Sequence, residues 1–144
     1  MNALQKNVSI ELQTMIEEDG AKESNKQKHT GKYYKRNNLD VLTYEETSDD
    51  KSVIHNLITI QQNKVSIKRS GNVRMNQQFR EGQITENVFY HPHGGIHMET
   101  YTETIHYQSN EESGSLTIDY KVKLNGQEER NQEIKLSFKE EESQ

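Results

Sequence analysis

Apolar and polar residues alternate along most of this 144-residue chain. The pattern is clearest on either side of Asn125-Gly126, where every second position is apolar: Leu116, Ile118, Tyr120, Val122, Leu124, then Ile134, Leu136 and Phe138. Successive side chains of a β-strand point to opposite faces, so this pattern indicates strands with one face in a core and the other in water. Asn-Gly supplies the positive φ angles of a two-residue hairpin turn and joins the two runs.

The same alternation predicts up to ten strands, separated by turn-forming pairs such as Asp19-Gly20, Asn37-Asn38 and Ser70-Gly71. The strands are predicted near residues 7–18, 27–36, 39–46, 52–60, 64–70, 72–80, 83–91, 95–108, 115–124 and 127–138. Links this short leave no room for crossover helices. The sheet is therefore predicted to be antiparallel and to run mostly as a meander.

Closure of this sheet into a barrel would remove the two exposed edges of an open meander. Only 29% of the residues are hydrophobic, against about 45–50% in ordinary globular chains when glycine is counted. A thin core favours one rolled sheet over a layered α/β fold. We therefore predict an all-β fold: a single antiparallel barrel of about 8–10 strands spanning residues 1–144 as one domain, with residues 139–144 as a frayed acidic tail.

The alternation also predicts which residues face the barrel interior. Beyond the two runs above, the inward set is Val8, Ile10, Leu12, Ile16, Ile54, Ile58, Ile60, Val65, Ile67, Val73, Met75, Phe79, Ile84, Val88, Ile96 and Met98. In the third strand the pattern leaves two alternatives open. Either Leu39 and Val41 face inward, or Leu42 and Tyr44 do.

The inward face is predicted to become polar toward one end. Arg69 continues the parity of Val65 and Ile67, and three threonines continue that of Ile96 and Met98: Thr100, Thr102 and Thr104. A half-polar interior is typical of a ligand cavity, and also of a barrel mouth that opens to water. Both interpretations stay open.

An inward Arg69 needs a carboxylate partner, because a buried guanidinium is tolerable only when paired and hydrogen-bonded. Glu45 and Glu46 end the strand after Tyr44, and parity allows only one of them to face inward. Glu86 is a third candidate. The pair would either close the barrel floor or leave Arg69 as an anion anchor.

Several segments resemble the DUF1934 family, in order along the chain: Gly31-Lys32-Tyr33-Tyr34, Leu42-Thr43-Tyr44-Glu45-Glu46, the run from Val65 to Met75 containing Arg69-Ser70-Gly71, and Pro92-His93-Gly94 followed by Ile96, Met98 and Thr102. The resemblance spans essentially the whole chain. It implies a small bacterial cytosolic protein with a calycin-like, lipocalin-like antiparallel barrel. It implies little about activity, because a fold does not fix a function. The chain departs from lipocalins proper in having no tryptophan.

Three histidines, His91, His93 and His97, surround the Pro92-His93-Gly94-Gly95 turn and are weak candidates for a metal site. His97 lies on the parity opposite Ile96 and is expected to face outward. Proline and two glycines are explained by the turn itself. We therefore predict neither a metal nor any other cofactor.

Composition limits the remaining function classes. The chain has no cysteine, which excludes disulfides and cysteine nucleophiles. Its net charge of −5 argues against nucleic acid as a partner. No run of apolar residues reaches membrane length, and the first residues contain no apolar leader segment, so we expect a cytoplasmic protein without a membrane partner.

No catalytic constellation is found, so the chain is not expected to be an enzyme. The favoured hypothesis is a binding module for a small apolar or amphipathic ligand, with the ligand near Arg69, Glu45, Glu46, Tyr44, Thr100 and Thr102. The alternative is an interaction protein with a fully packed barrel, for example a homodimer that uses exposed Tyr33, Tyr101 and Tyr107.

Overall fold

The computed structural model describes residues 5–141 of the chain. These residues form ten strands, and none of them forms a helix. The strands are β1 (Lys6–Glu18), β2 (Ala21–Arg36), β3 (Leu39–Thr47), β4 (Val53–Ile60), β5 (Lys64–Ser70), β6 (Arg74–Arg80), β7 (Ile84–His91), β8 (Gly94–Ser109), β9 (Ser113–Leu124) and β10 (Arg130–Glu140). Accordingly, no described segment has the length and hydropathy of a membrane-crossing helix.

The ten strands close into one antiparallel barrel in which each strand pairs with its neighbours in the sequence. β1 and β10 complete the ring with a continuous ladder from Val8↔Glu140 to Glu17↔Asn131. Asn125 and Gly126 have the expected positive φ angles, 51° and 70°. The predicted two-residue hairpin is wrong, however, because β10 begins only at Arg130, which pairs with Val122, so residues 125–129 all lie in the connection. The prediction of an all-β antiparallel meander barrel is confirmed.

One end of the barrel, which we call the packed end, carries the turns at residues 37–38 and 61–63. Phe79 and Val65 are fully buried there as cross-strand neighbours. The ring of Phe79 meets that of Tyr120 edge to face, with centroids 4.9 Å apart. Leu42 and Tyr44 both face the interior, Tyr44 nearer the opposite end, which settles the open question about the third strand. The opposite end, with the turns at 19–20 and 48–52, is called the cavity end.

The predicted inward positions of β7 are wrong. Ile84 is 60% exposed and Val88 is 36% exposed, whereas Phe89 on the other parity is partly buried. β7 pairs with β6 through a single position, Arg74↔Tyr90. A strand held so weakly on one side is not forced to present its most apolar face to the core.

A β-bulge in β8 corrects a second prediction. The register with β9 shifts between Thr102 and Thr104, which exchanges the two faces of the strand. Thr104 therefore leaves the interior and donates a hydrogen bond to Asp119 at 3.0 Å. Tyr107 turns inward instead and donates a hydrogen bond to the buried carboxylate of Asp40.

Two further predictions need correction. Tyr33 is only 5% exposed and Tyr107 is turned inward, so Tyr101 alone of the three tyrosines proposed for a dimer surface is exposed. Lys139 and Glu140 belong to β10 and pair with β1, because the ladder with β1 continues to Val8. The frayed tail predicted from residue 139 is thus wrong for these two residues, and its last three positions lie outside the described residues.

β2 and β3 separate at Gly31. Their ladder runs from Arg36↔Leu39 to Gly31↔Tyr44 and stops there. A Cβ atom on Gly31 would lie 2.2 Å from the backbone oxygen of Thr43, so glycine is needed where the strands come closest. Residues 21–30 of β2 continue alongside β1 alone.

The barrel is also interrupted between β6 and β7, where Arg74↔Tyr90 is the one ladder position. The connecting residues instead contact the bulge of β8. Gly82 N–H donates to the Thr102 carbonyl at 2.8 Å, and the Glu81 carboxylate accepts from Ile105 N–H at 2.8 Å. Glu81 thereby satisfies a backbone donor that the bulge leaves without a strand partner.

Candidate functional site

Three adjacent strands bring polar side chains together inside the cavity end. Tyr44 on β3 pairs with Asn56 on β4, and Asn56 pairs with Arg69 on β5. Each continues the inward parity of a core residue two positions away, respectively Leu42, Ile58 and Ile67. The alternation of the sequence therefore places three hydrogen-bonding side chains in one row across the inner surface.

Glu46, the second-last residue of β3, lies beside this row at the cavity end. Its carboxylate accepts a hydrogen bond from Asn56 Nδ2 at 2.9 Å. Arg69 Nη2 lies 3.2 Å from one carboxylate oxygen and 3.4 Å from the other. Both hydrogen bonds that Arg69 makes within the described chain start from Nη2, and a guanidinium has five N–H donors. Nε and Nη1 can therefore donate to a second acceptor.

His29 covers the other side of Tyr44. The two rings stack with centroids 4.4 Å apart, and His29 Nε2 lies 3.0 Å from Gln27 Oε1. Burial, with a smaller contribution from the Glu46 carboxylate, raises the pKa of Tyr44 to about 12. The Tyr44 phenol is therefore neutral at physiological pH and presents an apolar ring with one polar atom.

These side chains surround a cavity of about 200 Å³ inside the barrel. Its apolar wall is formed by Leu12, Ile58, Ile67 and Ile134, and its polar wall by Thr14, Gln27, Tyr44, Glu46, Asn56 and Arg69. A water molecule takes about 30 Å³ in the liquid, and drug-sized ligands need about 300 Å³ or more. The cavity is thus large enough for a short organic molecule and too small for a long one.

The structure brings together only part of the site predicted from the sequence. Glu46, Tyr44 and Arg69 meet in the cavity. Glu45 faces outward, where His55 Nδ1 lies 3.4 Å from its carboxylate. Glu86, the third candidate partner of Arg69, also faces outward, where its carboxylate lies 3.8 Å from His97 Nε2. The prediction that it could pair with Arg69 is therefore wrong.

The two threonines of the predicted site lie elsewhere. Thr100 and Thr102 are fully buried on β8, across the barrel from β3, and neither lines the cavity. Gln77 Nε2 donates to Thr100 Oγ1 at 3.0 Å. Thr100 is therefore part of a buried polar contact between β6 and β8, separate from the Arg69 site.

The histidines around the 92–93 turn do not converge. The rings of His91 and His93 have centroids 6.1 Å apart, and the His91 Nδ1 atom accepts a hydrogen bond from the His93 backbone. His97 faces Glu86. Across residues 5–141, no three His, Cys, Asp or Glu side chains are placed to hold one metal ion.

The sequence reasoning missed Asn56, Gln27 and His29. Asn56 lies between Ile54 and Ile58 on the same parity, so the alternation could have placed it inside. Gln27 and His29 had no such signal, because polar residues occupy both parities of β2 before Gly31. Their inward orientation follows from the register with β1, which pairs them with Leu12 and Ile10.

Loss of the cation at this site should weaken the fold. We expect Arg69→Met to lower the free energy of unfolding by about 1–2 kcal/mol, because Glu46 would lose a charged hydrogen-bond donor. The estimate is below the roughly 3–5 kcal/mol for a fully buried pair because the two side chains are 26% and 23% exposed. Urea unfolding measures the change.

The matched second change is Glu46→Gln in the Arg69→Met background. It removes the orphaned charge and keeps an oxygen for Asn56, so at least half of the lost stability should return. Lys68→Met, one position away on the outer face, should change stability by less than about 0.5 kcal/mol. Unchanged stability in Arg69→Met would mean that the Arg69 side chain does not pair with Glu46.

The chain is similar in sequence to a known protein family and in structure to a solved β-barrel protein. A family model described as a domain of unknown function, DUF1934, matches residues 10–136. The chain is 27% identical to the uncharacterised β-barrel protein YwiB of Bacillus subtilis (strain 168) over 131 residues, which are 91% of this chain and 92% of YwiB. It also resembles the crystal structure of the Bacillus subtilis YwiB protein, with a TM-score of 0.86 at 25% identity, covering 96% of this chain and 94% of that one.

Proposed function

We propose that this chain, which belongs to the DUF1934 family, binds a short amphipathic carboxylate in the cavity end of its barrel, as lipocalin-like barrels hold ligands in theirs. The observation that carries the proposal is one cation with free donors set against an apolar wall. Ile58, Ile67 and Leu12 would cover the aliphatic part of the ligand. Arg69 Nε and Nη1 would bind its carboxylate.

The geometry of the site favours binding over catalysis. Glu46 already accepts hydrogen bonds from Asn56 and Arg69, so its carboxylate oxygens are engaged within the site. The Tyr44 hydroxyl, with its raised pKa, is a weak proton donor. A site whose carboxylate is already hydrogen-bonded and whose phenol is a weak proton donor suits a ligand that is held unchanged.

The size of the cavity sets the ligand class. At about 200 Å³ it holds roughly the volume of six or seven waters. A short aliphatic carboxylate fits this volume, whereas a long-chain fatty acid would have to displace the packed residues around Phe79. Affinity should therefore rise with chain length over the first few carbons and then fall.

Calorimetric titration with straight-chain carboxylates of increasing length tests the proposal. We expect Arg69→Met to weaken binding of the best ligand by at least about tenfold, which corresponds to about 1.4 kcal/mol for the loss of a charge-assisted contact. Lys68→Met is the matched control and should bind normally, because Lys68 points to the outer face. Both variants are first checked for a native fold by circular dichroism.

Protein purified natively from its own cytoplasm gives an independent measurement. Comparison of its native and denatured masses should reveal a consistent extra mass that is absent in Arg69→Met. Bare protein that also fails to bind any carboxylate of the series, and that forms a stable dimer in solution, would favour an interaction protein with a packed barrel instead.

A further inference from the structure

The half of β2 beyond Gly31 is a sheet edge without a partner strand in the described chain. β3 leaves β2 at Gly31↔Tyr44, and residues 21–30 are paired on one side only, with β1. This edge is long, because ten residues of extended chain span about 33 Å. Exposed edges of this length are templates for the addition of another strand.

The hairpin turn shows which residues offer their backbone groups. Asp19 and Gly20 both have positive φ, as in a two-residue turn, so Glu18 and Ala21 form the first hydrogen-bonded pair. Odd-numbered residues of β2 therefore bond to β1. The even-numbered ones point their N–H and C=O groups to the free edge: Lys22, Ser24, Lys26, Lys28 and Thr30.

The same even-numbered residues place a row of cations on the outer face of the edge. β2 contains six Lys or Arg residues and one acidic residue, in a chain with a net charge of −5. Lys26 lies 2.8 Å from Glu11, and Lys22 lies 3.9 Å from Glu17. Lys28 forms no ion pair with the described part of the chain.

Beyond the edge, the cationic surface continues into a groove. A cavity of about 610 Å³ lies on the outer face where β2 and β3 separate. Lys32 and Lys68 line it, and Glu45, its one carboxylate, already faces His55. A strand added to β2 would therefore have basic side chains beside it along its whole length.

This charge pattern argues against a second copy of the chain as the occupant. In an antiparallel pair of identical strands, centring on Asn25 places Lys22 opposite Lys28, and centring on Lys26 places that residue opposite itself. Like charges directly opposite each other destabilise a strand pair. Opposite charges stabilise it by up to about 1 kcal/mol per pair.

We propose that β2 binds an extended acidic segment of another protein by strand addition, with carboxylates at alternate positions facing Lys22, Lys26 and Lys28. Backbone hydrogen bonds to the even-numbered residues hold the segment, and the lysines select its charge. The next carboxylate beyond Gly31 enters the groove beside Lys32 and Lys68. The free edge lies on the outer face and contains no residue of the Arg69 cavity wall in its even-numbered row, whereas the groove shares Tyr44 and Asn56 with that wall.

A labelled nine-residue peptide of alternating threonine and glutamate, capped at both ends, is the probe, and fluorescence anisotropy at low salt is the measurement. We expect saturable binding that is at least about tenfold weaker for the threonine and glutamine analogue. Lys26→Glu with Lys28→Glu should cause a similar loss. Lys121→Glu with Lys123→Glu on β9 has the same net charge and should bind normally, as should Arg69→Met.

Backbone recognition is tested separately. Ser24→Pro removes an N–H group at the free edge, where proline is tolerated, and should weaken the peptide about tenfold without changing the unfolding midpoint. Two peptides are compared, one N-methylated at the odd-numbered amides and one at the even-numbered amides. Methylation of the amides that face β2 should abolish binding, and methylation of those that face away should preserve it. Equal binding of both methylated peptides would overturn the proposal.

Three further results would also overturn it. The first is no binding of the acidic peptide at millimolar concentration. The second is binding of a thymidine oligonucleotide as tight as that of the peptide, which would make the edge a general polyanion surface. The third is a dimer in sedimentation experiments that Ser24→Pro dissociates, which would make the second copy the occupant.

Discussion

The protein is expected to unfold cooperatively as the pH rises above about 10, because four of its tyrosines are neutral groups held in the fold. Tyr33, Tyr44 and Tyr120 are no more than 6% exposed, and Tyr107 is partly buried. Burial raises the pKa of Tyr33 and of Tyr44 to about 12, and it raises the pKa of Tyr107 and Tyr120 further in the same direction.

Nearby carboxylates strengthen the effect at the packed end. The charge of Asp40 adds to the burial of Tyr33 in raising its pKa, and the Tyr107 hydroxyl donates a hydrogen bond to the Asp40 carboxylate. Ionisation of either phenol would place a second negative charge beside Asp40. The fold therefore holds both phenols in the protonated form.

The sign of the pH dependence follows from these raised values. In the unfolded chain a tyrosine loses its proton near pH 10, whereas in the fold it keeps the proton to about pH 12 or beyond. The stabilisation is complete below pH 10 and is lost as the pH rises through the folded-state pKa. Between the unfolded-state and folded-state pKa values, each such tyrosine lowers the free energy of unfolding by about 1.4 kcal/mol per pH unit. Four tyrosines together lower it by roughly 5 kcal/mol per pH unit.

Urea unfolding at pH 8, 10 and 11, with tyrosinate absorbance as a second probe, measures this loss. Tyr44→Phe removes one titrating group and should make the decline shallower by about a quarter. Surface lysines also lose charge in this range, but exposed ion pairs contribute at most about 1 kcal/mol each. A free energy of unfolding that stays constant from pH 8 to 11 would contradict the prediction.

Truncation of Phe79 is expected to have the next largest effect. Phe79 is completely buried at the packed end and meets Tyr120 edge to face. Removal of a buried phenyl ring loses its transfer free energy and leaves a cavity that the surrounding strands cannot fill. We expect Phe79→Ala to lower the free energy of unfolding by about 3–5 kcal/mol in urea unfolding experiments.

Phe79→Leu is the conservative comparison and should cost less than about 1.5 kcal/mol, because most of the volume is retained. Tyr101→Ala, an aromatic residue that is 37% exposed on the outer face, should have a small effect. If Phe79→Ala cost less than about 1 kcal/mol, the packed end would not be close-packed, and ligands could extend along the whole interior.

The sequence was sufficient for the strands because their turns and their alternation agree with each other. Asp19-Gly20 and Asn125-Gly126 adopt positive φ angles, and β9 keeps one apolar face throughout. Residues 21–26, which carry no apolar face, are the exception and were not predicted as part of β2. Where local signal and global fold agree in this way, the topology of a meander leaves few alternatives.

The inward-facing residues were predicted wrongly in β7 and in part of β8, and the two errors have separate physical causes. In β8 the bulge at Thr102 to Thr104 adds one residue to one side of the ladder, and no residue type in that segment marks it. In β7 both parities carry apolar residues, Val88 on one and Phe89 on the other. The choice between them depended on the weak pairing with β6, which is a tertiary property.

The site was predictable only where a residue continued the parity of its own strand. Arg69 and Glu46 did so, and the structure brings them together. Gln27 and His29 enter the cavity because β2 diverges from β3 at Gly31, which a single sequence does not report. The size of the cavity likewise depends on how ten strands curve, not on any one of them.

The uneven seams of the barrel also determine how the ring can open. The first and last strands of the chain are joined by a continuous ladder from Val8 to Glu17, while β6 and β7 share one ladder position and the contacts of Glu81. β1 and β10 are thus joined more firmly than β6 and β7 are. Local opening of the closed ring should begin between β6 and β7, and the fold is best regarded as a sheet that starts at β7, continues across the β10–β1 ladder, and ends at β6.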